Sequence, residues 1–528
     1  MRVATLIQGR DRFKLMLVRP PAHLWPLVNE SDNFLLPLGL PAMAAYLRRE
    51  MKGVEIKILD CLPDKVGWKS LEKAIADFDP DVFGVGDMVI YMHEGMKAAA
   101  LAKKVKPSVI TLGGGHFHSH MPRYSLGKYP QLDFIVRYEG EETTREFLET
   151  LRAGGDISQV QSIAYRDGEQ IVETPPRPLI ASLDTLPMPA YDLMPINKYS
   201  PFGVMWPKTI TIQGNRGCPY NCSYCSWSAM EGEHVLGPDG RHVLIPTIRQ
   251  RSAHRVIEDI DLLYGKYGIR YLFWVEGTWN FDNDWLNDFC DQMLKRNYKG
   301  LGWWAFVRAD KLLEQEKLGI LSKMVKVGLR HVLIGGERPV DEELAEIGKT
   351  KLSGDALMQA SHLLKRKYPQ VFRMATWITG IRSETPASMM RLSDYTIRAK
   401  LDFTQMHPLM PFPGTPLYEE ALQKGWITEP DFGLYDMFHP ILRGEHMTAE
   451  EISHYTAYIQ LRFVRKQPLR FLAGLFSPHK IRRRIKRYLM FSVLKLLARD
   501  AYLSLKGEKK FEGFGAVGKL WKPAWYDT

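Results

Sequence analysis

Two α/β units in series are predicted by this 528-residue sequence: an open parallel sheet, then an incomplete barrel of six βα repeats, followed by a basic, mainly helical region. Three observations predict it. Apolar runs of strand length alternate with helix-period segments from residue 14 to 152, and again from 209 to 407. Between the two series, prolines recur too often for a helix or a central strand. Beyond residue 431 the alternation stops.

The first unit spans residues 1–150. Its strands are read at Lys14–Val18, Val54–Leu59, Val82–Gly86, Val109–Leu112 and Phe134–Val136, and its helices at Leu40–Arg49, Leu71–Phe78, Glu94–Lys104 and Glu142–Arg152. Sheets of this kind bind ligands at the carboxyl ends of their strands. Three glycine loops fall there: Gly84-x-Gly86, Gly113-Gly114-Gly115 and Glu139-Gly140-Glu141. Glycine lets a flat ligand come close to the backbone, although tight turns use it as well.

Residues 151–205 form a transition. Asp167-Gly168 lies between Ser162–Arg166 and Gln170–Glu173, a hairpin signal. Pro175, Pro176, Pro178 and the run LPMPAYDLMP (186–195) then predict an ordered linker.

The barrel unit, 206–430, has strands at Thr209–Gln213, Arg270–Val275, Gly302–Phe306, Leu329–Ile334, Phe372–Ile378 and Phe403–His407. Helices are expected at Ser252–Tyr267, Trp285–Arg296, Lys317–Val327, Gly354–Arg366 and Glu384–Lys400. Its active face belongs at the carboxyl ends of the strands.

In the last region, 431–528, the segment Arg462–Arg499 holds twelve Lys or Arg and no Asp or Glu. It accounts for the whole net charge of +11, so the rest of the chain is close to neutral. Pro468 and Pro478 interrupt it, and neither apolar stretch approaches the ~20 residues that span a bilayer. Interleaved basic and apolar residues suit an anionic membrane surface; a solvated helix face packed on the barrel is the plainer reading, and nucleic acid is disfavoured.

Five cysteines are present, and three stand together in GCPYNCSYC (217–225) with Cys-x3-Cys-x2-Cys spacing. A structural zinc site wants four ligands as paired Cys or His, and His234 and His242 lack ligand-pair spacing. A disulfide framework fails on the odd count and on an opening, MRVATLIQGRDRFK, too charged for a secretory signal. Cys61 and Cys290 are isolated and read as small buried apolar residues. Thiolates favour iron–sulfur clusters, and three ligands leave one iron of a cubane open for chemistry.

This cysteine run closely resembles the signature of the radical S-adenosylmethionine (SAM) superfamily. With the glycine loops and PLGL (37–40) upstream, the chain resembles the members that carry a cobalamin-binding domain, the C-methyltransferases and the anaerobic magnesium-protoporphyrin IX monomethyl ester cyclases. The resemblance implies a Rossmann-like cobalamin-binding domain, then a partial (β/α)6 radical SAM barrel. It implies a [4Fe–4S] cluster on Cys218, Cys222 and Cys225, SAM on the open iron, and cobalamin at Gly84, Gly86, Gly113, Gly114, Gly115, Glu139 and Gly140. Tyr224 matches the aromatic that lies near adenine. Glu337 of IGGE and Glu276 of WVEG fall where the family places SAM-binding carboxylates, although relatives commonly carry Asp-Asp at the second position. Arg308 is a candidate partner for the SAM carboxylate. PFPGTPL (411–417) resembles a motif expected to shape the SAM pocket. Trp227, Trp274, Trp279, Trp303, Trp304 and Trp377 are candidates for an apolar substrate cavity, though large aromatics are more often core.

One family feature is missing. The Asp-x-His-x-x-Gly motif that supplies a lower-face histidine to cobalt is absent; Asp87 and His93 have the wrong spacing, and His93 is only a candidate ligand. The expected activity is C-methylation of an unactivated carbon in an apolar or small organic substrate, with oxidative ring cyclisation as the alternative. A tRNA methylthiotransferase would carry three more N-terminal cysteines, where this chain has only Cys61. A corrinoid or iron sensor would bind the cofactors without cleaving SAM. The expected setting is a cytoplasm low in oxygen, with the inner membrane face as a candidate peripheral position and a reductant such as flavodoxin or ferredoxin.

Overall fold

The computed structural model describes residues 7–22, 35–86, 89–199, 208–236, 242–507 and 525–528. The first sheet runs in the order β2-β1-β3-β4-β5-β6-β7. Its strands are β1 (Phe13–Arg19), β2 (Val54–Asp60), β3 (Val82–Gly86), β4 (Ile110–Gly114), β5 (Phe134–Val136), β6 (Ile163–Asp167) and β7 (Gln170–Glu173). The first five are parallel and their central members are buried on both faces, which explains their unbroken apolar runs. The Asp167-Gly168 hairpin does not stand apart in the transition. It joins this sheet antiparallel to β5, with Val136 opposite Ile163.

The second sheet is β8 (Thr209–Ile212), β13 (Tyr271–Trp274), β14 (Gly302–Val307), β15 (Leu329–Glu337), β16 (Phe372–Thr379) and β17 (Phe403–Pro408), all parallel and in sequence order. Between β8 and β13 lies an insertion of short antiparallel pairs: β9 (Asn215–Gly217) with β12 (Ile248–Gln250), and β10 (Glu233–Leu236) with β11 (His242–Ile245). A helix at Ala309–Lys317 occupies what the sequence pattern leaves as a loop, and the next begins only at Ile320. Gly319 separates them with φ +75°, a conformation that ends the first helix.

The basic region closes the opposite end of the barrel from the cysteines. Pro468 and Pro478 break it into helices Ala449–Arg465, Pro468–Gly474 and Lys480–Leu505. Ile485 and Tyr488 enter the barrel-interior cluster with Tyr271, Trp304 and Phe372, residues at the amino ends of their strands. Beside them the fully buried Asp402 collects Arg373, Arg470, Arg482 and Lys486. Burial pushes the Asp402 carboxyl up, but Arg373, Arg482 and Lys486 overcome this and hold it far below the usual range. Burial pushes the Lys486 ammonium down to about 7.

The last residues return to the first domain. The carbonyl of Thr528 accepts from Lys69 N (3.0 Å) and Ser70 N (3.2 Å) at the start of helix Trp68–Phe78, and Tyr526 packs on Trp68. Gly67 is required there, since a Cβ would lie 2.2 Å from the Trp525 carbonyl oxygen. Among the described residues no helix is long and apolar enough to cross a membrane.

Asp402→Ala strands the cations it gathers in the interior. It is expected to cost about 3–5 kcal/mol in denaturant unfolding. Limited proteolysis is expected to gain a cut between residues 466 and 480.

Candidate functional site

The cysteine loop follows β9 and is braced from four sides. Gly217 turns the chain into it at φ +91°, where a Cβ would lie 1.8 Å from the Thr247 carbonyl oxygen. Cys218 N donates to that oxygen at 3.0 Å. Ser223 N donates to Ile347 O (3.1 Å), and Ser223 O accepts from Leu417 N (2.9 Å). The PFPGTPL run therefore holds the cysteine loop through its backbone. Gly277 of WVEG lies against Cys218, its would-be Cβ 3.3 Å from that of the cysteine. Gly348, at φ +72°, approaches Ser223 N in the same way, at 2.9 Å.

Two buried carboxyl groups lie behind the loop. Glu276 accepts from the backbone N–H groups of Gly214 and Asn215 and from the Asn215 side chain. Glu231 accepts from Gly217 N (2.6 Å) and from the Gln213 amide (3.0 Å). Burial pushes Glu276 up to about 8, with the nearby Glu231 adding to the shift. The structure thus places Glu276 behind the strand that carries Cys218, with its acceptor atoms already engaged.

The three thiols lie within one another's field. Burial first, then Cys222 and Cys218, push the Cys225 thiol up to about 12; burial also raises Cys222, opposed by Lys349 and Arg308. Thiols that resist ionisation this way need a metal cation to hold them as thiolates. Among the described residues no three His, Cys, Asp or Glu side chains converge on a single-ion site. A cubane takes one thiolate on each of three irons, and three thiols are the donor set this loop offers.

Around them stand the residues expected to meet SAM. The Tyr224 hydroxyl is pushed well up, by burial first and then by Glu337, Cys222 and Cys225, so these four groups are neighbours. Glu337 pairs with Lys349 at 3.0 Å. IGGE needs both glycines: a Cβ on Gly335 would lie 2.8 Å from the Glu337 carboxylate, and one on Gly336 would lie 2.5 Å from Leu357. The next residue, Arg338, is fully buried and fixed by Glu384 (2.8 and 2.9 Å) and Glu343 (2.8 Å). Arg308 lies over the Tyr220 ring, with its fork on Asp310 (3.0 Å) and the Lys351 carbonyl (2.6 Å). Sequence reading missed Lys349 and His407; the latter lies near the end of β17, where burial lowers its imidazole and the Met437 carbonyl and nearby Glu337 oppose the shift. Of the tryptophans, Trp274, Trp279, Trp303 and Trp377 are core and Trp304 fills the barrel interior. Trp227, beside the cysteine loop, is half-buried.

At the first domain's strand ends the glycines divide. A Cβ on Gly84 would strike Leu17 (2.8 Å), on Gly113 would crowd Leu132 and His118 (3.1–3.4 Å), and on Gly140 would strike Met43 (2.7 Å). These three serve internal packing. Gly86 and Gly114 face each other across β3 and β4 with room above both, and Gly115 turns at φ +82°. Together they leave a floor of bare backbone. Beside it lies His116, buried and kept neutral by burial, which lowers it to about 4; its Nε2 has no hydrogen-bond partner among the described residues. Its ring is 4.9 Å from His120 and 6.5 Å from Phe412 of the PFPGTPL run. A backbone floor with an unpaired imidazole at the domain interface fits a corrin. The sequence signal was HFHSH (116–120), directly after the triple glycine. His93 lies elsewhere, half-exposed and bonded to Asp431 at 3.0 Å, and Asp87 is outside the described residues.

Glu139 and Glu141 join the domains. Arg216 of β9 reaches Glu139 (2.7 Å) and Glu141 (2.5 Å), and Arg249 of β12 reaches both Glu139 oxygens at 2.9 Å. Ile180 N completes the set on Glu139 at 2.8 Å.

Residues 24–148 match the B12 binding domain model. An uncharacterised methyltransferase of Pyrococcus horikoshii is 27% identical over 88% of this chain and 95% of its own length. The anaerobic magnesium-protoporphyrin IX monomethyl ester cyclase of Rubrivivax gelatinosus is 26% identical over 92% of this chain and 82% of its own. Among solved structures, the cobalamin-dependent SAM radical enzyme OxsB, with aqua-cobalamin and SAM bound, superimposes with a TM-score of 0.67 at 15% identity, over 98% of this chain and 84% of its own. That likeness establishes a shared fold.

The raised pKa of Glu276 has a consequence for stability. The folded group binds its proton more tightly than the unfolded one, so its contribution is full below pH 4.5 and is lost as pH rises through 8. In Glu276→Gln, which is always neutral, the melting temperature is expected to fall less than in the parent across that window.

Proposed function

We propose that this chain, which carries a B12-binding domain and the fold of cobalamin-dependent radical SAM enzymes, methylates an unactivated carbon of an apolar or small organic substrate. One observation carries the reading. The PFPGTPL run touches the cysteine loop through Leu417 and the imidazoles beside the glycine floor through Gly414, whose would-be Cβ lies 2.3 Å from the His120 ring. Both candidate cofactor sites are therefore packed against one segment of the chain.

When bound, a [4Fe–4S] cluster supplies the electron that cleaves SAM to a hydrogen-abstracting radical, and cobalamin supplies a methyl carrier. The chain's own residues hold and orient. Cys218, Cys222 and Cys225 would hold the cluster. Tyr224, Glu337, Lys349 and Arg308 line the side where SAM belongs, and Lys349 pairs with Glu337 while the adjacent Arg338 is locked by Glu343 and Glu384. Gly86, Gly114, Gly115 and His116 would receive the corrin, and Glu139 orients that domain instead of touching it. Core tryptophans and the barrel plug exclude water from the far end. A reductant such as flavodoxin or ferredoxin, and an anionic membrane met through residues 462–499, belong to the same reading. The Rubrivivax relative favours a second one, oxidative cyclisation without methyl transfer.

Anaerobic reconstitution with cobalamin and methyl-labelled SAM tests this. Deoxyadenosine together with a labelled product from cell extract is expected. Deoxyadenosine alone would turn the assignment to the cyclase reaction, and neither would overturn both. Cys222→Ala is expected to abolish deoxyadenosine formation, and Lys349→Met to lower it about 10–100-fold, as loss of a positioning partner does. Gly114→Leu fills the backbone floor and is expected to remove the cobalamin absorbance that co-elutes on gel filtration, with the cluster absorbance unchanged.

A further inference from the structure

The basic region divides by destination. Arg470, Arg482 and Lys486 turn inward to Asp402. Ile481, Ile485, Tyr488 and Leu489 plug the barrel. This is a built anchor, and it consumes the first turns of helix Lys480–Leu505. Several of the remaining described side chains face outward. Helix Pro468–Gly474 buries no residue at all; Leu469 is 80% exposed and Phe476, just beyond it, 77%. Farther along the last helix Phe491 is 63% exposed and Leu505 88%, past the point where plug contacts end. Around these apolar side chains, Lys466, Lys480, Arg484 and Arg487 are also exposed. Bulky apolar groups ringed by cations, on a segment with no acidic residue from 462 to 499, match an anionic phospholipid surface: headgroups meet the cations and acyl chains the apolar groups.

We infer that helix Pro468–Gly474, Phe476 and the outer part of helix Lys480–Leu505 form an interfacial docking face for an anionic lipid bilayer. The occupant is a membrane surface, because the exposed apolar side chains stand among cations with no acidic residue between 462 and 499. Anchor and cysteines lie at opposite ends of the barrel strands, so a docked molecule presents its cofactor end away from the bilayer. This deepens the membrane partner named above and rests on no catalytic property.

The full chain, reconstituted with cluster and cobalamin, is sedimented with phosphatidylglycerol–phosphatidylcholine vesicles and with phosphatidylcholine alone. Pelleting with the first at low salt, weakened as salt screens the charges, is expected. Leu469→Glu with Phe476→Glu, both at exposed positions, is expected to lower partitioning by roughly tenfold or more. Arg484→Glu with Arg487→Glu is expected to lower it about fivefold per charge removed. SAM cleavage, measured on the same samples, is expected to stay at the parent level, and pelleting without any SAM cleavage would leave this inference standing while the catalytic reading fell. A chain that stays in the supernatant with anionic vesicles at low salt overturns it. So does a dimer that Leu469→Glu with Phe476→Glu dissolves, or binding to RNA in place of vesicles.

Discussion

Arg216 is the residue on which the working geometry depends. It stands two positions before Cys218 and spans the domain boundary to Glu139 and Glu141, with Arg249 closing the set from β12. Burial disfavours every one of these charges, yet Glu139 is held below its usual range and Arg216 above its own, so attraction exceeds desolvation at this point. A planar guanidinium on two carboxylates also fixes direction, which a point charge would not. The position of the cysteine loop against the first domain is set here, because Glu139 directly precedes helix Gly140–Ala153 and Glu141 lies in its first turn.

The rest of the site repeats the same economy. Few side chains near the cysteines are free; most hold a neighbour in place. Glu276 and Glu231 fix the backbone behind Cys218, Lys349 holds Glu337, and glycines at 217, 277 and 348 let three segments come within contact of the loop. Such a shell keeps reacting partners in place without moving during the reaction. At the other end, Asp402 does for the basic region what Glu139 does for the domains. One buried acid organises several cations that would otherwise repel one another.

Much of this was legible in the residues. The strands of both sheets lie within a residue or two of their apolar runs, with β15 extending further, because parallel strands buried on both faces have little choice of composition. The cysteine spacing named its chemistry, since thiolates at that spacing have few other uses. Glycine was read less well. Gly84, Gly113 and Gly140 looked like a ligand edge but relieve local crowding, while Gly86 and Gly114 are the open ones and Gly115 turns at φ +82°. A run of letters does not say which side of a strand faces a neighbour. His93 was singled out as the loop histidine, and the unpaired imidazole proved to be His116.

What the sequence by itself determined is the order of units, the gathering of three cysteines into one loop and the place where positive charge accumulates. Each is a local property, set by period, spacing or composition within a few dozen residues. Only the tertiary structure decided that Glu139 binds arginines, that Lys349 pairs with Glu337, that Asp402 locks the basic region and that Thr528 caps a helix of the first domain. These partners are 12 to 459 residues apart in the chain. Charge pairs and caps at such separations are chosen by which surfaces the packed sheets bring together, and a sequence met alone carries no record of that choice.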